Sequence, residues 1–130
     1  NEEYFVMSDT GENLKEYIKL HINEKDLYIE IAIRVLSILH NKNFAHGGSQ
    51  IRNFTIKNEM ISLIDFEEKI PEEYMKEFQK RDVLLFILSL EKANFCLGNC
   101  KLFILDILIF FIKLYNIQNF CLKTKYLIMY

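Results

Sequence analysis

From Glu24 to Asn41 the chain sets Leu27, Ile31, Val35, Ile38 and Leu39 at steps of three and four, with further apolar residues beside them. That is the period of an α-helix, and a helix apolar on more than one side belongs deep in a core. Asn23 stands where a capping side chain would start it. Only one proline and four glycines interrupt 130 residues, which favours long regular elements. With 51% hydrophobic and 26% charged residues, the chain is too apolar for a disordered tail and too charged for an integral membrane bundle. One domain over 1–130 is the expectation, burying roughly two thirds of its unfolded surface. A formal net charge of −2 argues against general nucleic-acid binding, which needs a basic footprint.

The three cysteines, Cys96, Cys100 and Cys121, cannot all pair within the chain. Cys96 and Cys100 are four apart, but no second Cys or His pair at ligand spacing completes a metal site. Asn1-Glu2-Glu3 opens acidic, unlike a signal peptide. Reduced thiols and a cytoplasmic location are therefore expected. The most apolar stretch, Leu102 to Leu114, is broken by Asp106 and falls short of the roughly 20 residues of a bilayer span. It reads as a buried helix, with no membrane span.

Around the long helix the chain reads as mainly α with one or two small β-hairpins. Tyr4 to Ser8 is a short β-prone run ended by Asp9-Thr10-Gly11. Asn13 to Leu20 carries Leu14, Tyr17 and Ile18 at helical spacing. Past the loop from His46 to Asn53 come two strand-like runs, Phe54 to Lys57 and Met60 to Ile64, joined at Asn58-Glu59 as a tight hairpin. A charged segment with the single proline, Pro71, leads to a helix from about Glu72 to Ala93, broken near Lys80. Asn99 can cap another from about Cys100 to Tyr115, and Leu122 to Met129 reads as a last helix or turn.

The hairpin opens with Asn53 and closes with Asp65, so it brings an amide carbonyl and a carboxylate close together. Mg²⁺ prefers such oxygen ligands and takes few protein groups beside phosphate oxygens. Asn and Asp are also ordinary turn residues, so the pair alone has a plain structural reading.

Four features in order change that balance. Leu39-His40 ends the long helix, and His46-Gly47-Gly48 follows. Asn53 lies five residues after Gly48, and Ile64-Asp65-Phe66 leaves the hairpin. This series resembles the catalytic core of kinase-like phosphotransferases. It is most like the C-terminal lobe of the atypical branch that includes the RIO and lipopolysaccharide-sugar kinases, with aminoglycoside and choline kinases further off. The resemblance implies a kinase-like C-lobe with ATP and Mg²⁺ as cofactors, both Asp65 and Asn53 holding metal. It implies a structural His46 packed under the loop, which is also the plain reading of a satisfied core histidine. Asp82, in Arg81-Asp82-Val83-Leu84, would anchor the catalytic-loop backbone; otherwise it is a solvated helix-face charge. The run 4–8 resembles a hinge strand, which would put the nucleotide base near Met7, Ser8 and Asp9. The lobe then divides into this strand, a catalytic-loop and metal-binding hairpin over 44–67, and C-terminal helices over 72–130.

Two departures bear on activity. The family's catalytic Asp falls at Gly48, which has no side chain to orient an attacking hydroxyl. Ser49, Gln50 or Glu67 could substitute, and Arg52 could neutralise phosphate charge. The sequence also has no Gly-x-Gly-x-x-Gly, strand lysine or helix glutamate, so these residues resemble a C-lobe with the upper lobe absent, either truncated or in need of a partner protein. A lobe without its neighbour should self-associate or dissolve poorly. The short segment from Glu67 to Lys80, with Gly47 where regulated kinases have an Arg, leaves little room for an activation-loop phosphate switch.

Two functions follow. One is an ATP-dependent phosphotransferase acting on a protein side chain, a sugar hydroxyl or a tRNA-modification partner. The other is a pseudokinase or nucleotide-binding interaction module without transfer. A third reading is a small helical domain whose motifs are accidental, in which Asp65 and Asn53 carry no function.

Overall fold

A computed structural model describes residues 11–66, 69–96 and 105–109. The hinge-like run 4–8 with Met7, Ser8 and Asp9, the residues Glu67, Cys100 and Cys121, and most of the two last helices lie outside the described residues.

The fold is mainly helical with a small three-stranded antiparallel sheet. The strands are β1 (Glu12–Asn13), β2 (Phe54–Lys57) and β3 (Met60–Leu63), in the order β1-β2-β3. The helices are α1 (Leu14–Leu20), α2 (Lys25–Asn41) and α3 (Met75–Lys92), and residues 105–109 are also helical. One hairpin is present among the described residues, and the third strand comes from the chain just before α1. In β2–β3, Phe54 faces Leu63 and Lys57 faces Met60. Asn58 and Glu59 both take positive φ, 52° and 65°, the two left-handed residues of a turn whose twist matches that of its strands.

Three boundaries differ from the sequence expectation. Asn23 does not cap α2; it sits inside a single turn of 3₁₀-helix over Ile22–Glu24, and α2 starts after it. The second strand of the hairpin stops at Leu63, one residue early. Most instructive is α3, which opens with a 3₁₀ turn at Glu72–Tyr74 and then runs unbroken through Lys80. Its polar Arg81-Asp82 reads as a break, yet Asp82 is fully buried, so the polarity there serves a contact and not a helix end.

Helix ends follow local chemistry. The Asn13 side chain accepts from the Glu16 N–H at the start of α1, filling one of the donors a helix start leaves open. Both α2 and α3 end in a left-handed asparagine, Asn43 (φ 65°) and Asn94 (φ 60°). Beyond each, a backbone N–H bonds the carbonyl five residues back, Phe44 to Leu39 and Phe95 to Leu90, a closure that needs that left-handed residue.

The core joins all three helices to the sheet. Leu14 and Ile18 of α1, Ala32, Ile33 and Leu36 of α2, Phe54 of β2, and Val83, Phe86 and Leu90 of α3 are fully buried. The Phe54 and Phe86 rings meet edge-on, centroids 5.4 Å apart, a preferred aromatic geometry. Beside this core, a hydrogen bond with the Tyr17 side chain is the main cause that pushes the Tyr28 phenol from 10.0 up to about 12. A raised folded value means that this contribution to stability is complete below about pH 10 and is lost as pH climbs through the folded value. Tyrosinate absorbance should include a phenol titrating that late, and Tyr17→Phe should bring it back down.

Gly11 is where β1 comes against β2. It has φ 101°, and a Cβ there would lie 2.0 Å from the Ile56 carbonyl oxygen. Gly11→Ala should therefore detach β1 and cost about 2–3 kcal/mol in urea denaturation. A midpoint equal to that of the parent would show that β1 is dispensable.

No helix among the described residues is long and apolar enough to cross a membrane. Cys96 is disulfide-bonded, which corrects the expectation that all three thiols are reduced.

Candidate functional site

The loop from His40 to Asn53 is held along its length by one face of α3. Gln79 donates its side-chain N–H to the carbonyls of His40 and Phe44, both at 3.1 Å. Asp82 lies about one turn further on, and Ser89 seven residues beyond it, about two turns along the same face. The Ser89 hydroxyl oxygen accepts from the Ile51 N–H at 2.8 Å and donates to the Phe86 carbonyl at 2.7 Å. The contacts to the loop span 35 to 39 residues of sequence, so the loop has its shape only when α3 is packed beneath it.

Asp82 is the central tie. One carboxylate oxygen accepts from the His46 N–H at 2.7 Å and from His40 Nε2 at 2.9 Å; the other accepts from the Gly47 N–H at 2.9 Å. A fourth bond runs from the Ser49 hydroxyl to the Asp82 carbonyl. Asp82 is thus not a solvated charge on a helix face. A buried carboxylate is tolerable only when its lone pairs are filled in this way.

His46 is fully buried as well. The Gly48 N–H donates to His46 Nδ1 at 3.0 Å, so Nδ1 is the unprotonated nitrogen and Nε2–H donates to the Ile64 carbonyl at 2.6 Å. The ring joins the loop to the residue that follows the far strand of the hairpin, and the Phe66 ring packs on it at 4.6 Å.

At the loop's other end the Asn53 side-chain N–H donates to the Gly48 carbonyl at 2.6 Å. This contact fixes the amide and leaves its oxygen as the group that a cation could use. The Ile64 N–H bonds the Asn53 carbonyl at 2.9 Å, so the hairpin sets Asn53 opposite the residue before Asp65. Asp65 is exposed and has φ 59°, a left-handed backbone that Asp accepts more readily than most residues. Such conformations gather at functional sites. Its carboxylate makes no hydrogen bond or ion pair with another described residue.

A carboxylate and an amide oxygen are hard donors suited to Mg²⁺, which commonly uses one or two carboxylates plus phosphate oxygens and water. No group of three or more His, Cys, Asp or Glu among the described residues forms a self-contained metal cage. A cation here would complete its shell with ligand oxygens, and the residues present fit that role.

The structure narrows the substitutes for an acid at Gly48. Both backbone groups of Gly48 are engaged, with His46 and Asn53. Ser49 is fully buried and its hydroxyl is committed to Asp82, so it cannot meet a substrate. Gln50 keeps a buried, unpartnered side-chain oxygen, and Arg52 is exposed. Sequence reasoning missed His40, Gln79 and Ser89. The Leu39-His40 pair marked only a helix end, and nothing local distinguishes Gln79 or Ser89 from other polar residues of α3.

The chain matches no protein-family model, no curated protein and no solved structure.

Proposed function

We propose that this chain is a kinase-like C-lobe that holds Mg-ATP at Asn53 and Asp65, and that its parent activity is ATP-dependent phosphoryl transfer. The observation that carries the reading is the bracing of one loop from three sides. Asp82 fixes the His46 and Gly47 N–H groups, His46 ties the loop to Ile64, and Asn53 closes it onto Gly48. That bracing fixes the Asn53 amide and the hairpin end from which Asp65 leaves, and preorganisation is what phosphoryl transfer requires of a protein. Bound Mg²⁺ would offset phosphate charge. Asn53 and Asp65 would position it, and Asp82 and His46 would hold them through the loop.

A second reading, nucleotide binding without transfer, is favoured by Gly48 and by the commitment of Ser49. Ser49 is bonded to Asp82 and the Gln50 side-chain oxygen is buried, so neither takes the place of an acid at Gly48. Full transfer would also need a phosphate-covering loop and a strand lysine beside this site. Calorimetry with ATP, with and without Mg²⁺, tests the common core of both readings. Mg²⁺-dependent binding supports them; a folded chain that binds no nucleotide removes both. Phosphate release from bound ATP then separates the two.

A further inference from the structure

The helix α3 has two opposite faces. One carries Asp82, Val83, Phe86 and Leu90 into the loop and the core. The other carries Arg81, Leu84, Leu88 and Glu91, which step by three, four and three and so form one stripe along the helix. All four are exposed, Leu84 at 40% and Leu88 at 52%.

The charges that close the stripe at each end are unpaired. The Arg81 guanidinium lies over the Phe78 ring at 5.7 Å, and neither it nor the Glu91 carboxylate is in an ion pair with another described residue. Glu91 also stands in the last turn of α3, the negative end of the helix, where an acid is unfavourable. The exposed apolar residues of α2 differ. Between Leu27 and Ile38, Arg34 and Glu30 already pair with each other at 3.6 Å.

The order of the stripe is self-complementary. Turned end for end and laid against itself, it sets Arg81 level with Glu91 of a second copy and Leu84 level with Leu88, each pair occurring twice about an axis level with Phe86. Steps of three and four are the spacing at which side chains of two helices interlock. A two-fold axis satisfies both copies at once, and antiparallel helix dipoles attract. Lys80 and Lys92 are level with each other in this register but flank the stripe on opposite sides. We infer that this face of α3 is where two copies of the chain pair, antiparallel, through two leucine layers bounded by Arg81–Glu91 ion pairs. The contact is small, so the dimer is a weak one, and it does not depend on nucleotide binding.

Sedimentation velocity on the full chain over a range of concentrations should show a monomer–dimer equilibrium. Arg81→Glu sets two acids in each outer layer and should weaken the dimer at least about tenfold; Glu91→Arg sets two bases there and should do the same. Mixed in equal amounts, these two variants should pair about as well as the parent, because each supplies the charge the other lacks. Recovery on mixing also shows that both are folded. Leu84→Gln combined with Leu88→Gln should abolish the dimer. A monomer at every concentration would overturn the proposal. So would a dimer indifferent to both charge reversals, because another face would then be the contact. Two weakened variants that mixing does not rescue would overturn the antiparallel register, and the proposal with it.

Discussion

Asp82→Ala should cost about 3–5 kcal/mol, the usual result of removing one partner from a buried charged network. Single domains have only about 5–15 kcal/mol in all, so the variant will be marginal or unfolded. The reason lies in what remains. The N–H groups of His46 and Gly47 and the His40 ring would face a cavity with no acceptor, and each stranded buried donor costs about 1–3 kcal/mol. Asp82→Asn should fall between the parent and Ala, because it keeps one acceptor oxygen but turns an N–H₂ toward groups that also donate. Urea denaturation of the three proteins checks the order. Equal midpoints for Asp82→Ala and the parent would mean that the carboxylate does not hold the loop.

If Asp65 holds Mg-ATP as proposed, Asp65→Asn should have the second large effect, on binding and not on stability. Asparagine tolerates the left-handed backbone at this position as well as Asp does, and the side chain is exposed. The denaturation midpoint should therefore stay within about 0.5 kcal/mol of the parent. Removing a supporting group of a metal site commonly costs about 10–100-fold in affinity, and loss of a ligand charge should cost at least as much. Calorimetry should show Mg²⁺-dependent ATP binding reduced by that factor, with any Mg²⁺-independent component unchanged. If Asp65→Asn binds Mg-ATP like the parent, the metal site is elsewhere. The two variants also separate roles: Asp82 acts through the loop and should move stability, whereas Asp65 should move only the ligand.

Self-association of this chain, an expectation from its sequence, would draw on apolar side chains left at the surface. Leu27 and Ile38 on α2, and Leu84 and Leu88 on α3, are each at least 40% exposed. Each is a candidate contact, although exposed single apolar residues are ordinary on protein surfaces.

Sequence alone determined the local elements. The three-and-four stepping in α1 and α2 and the turn at Asn58-Glu59 are properties of short windows, so helices and hairpin could be placed within a residue or two. It also put Asn53 and Asp65 at the two ends of one hairpin, because a strand–turn–strand unit sets its own register. Tertiary structure decided what those elements do to one another. The two residues of β1 pair with β2 across more than 40 residues of chain, too short a strand to leave a pattern of its own. Asp82 shows the limit most clearly: in sequence it belongs to a polar run that suggests the end of a helix. Only packing reveals it as the buried acceptor for three donors from a loop about 36 residues away. Hydrogen bonds of that span leave no periodic trace. Their partners are chosen by where whole elements come to rest, and a window of ten residues contains no information about that.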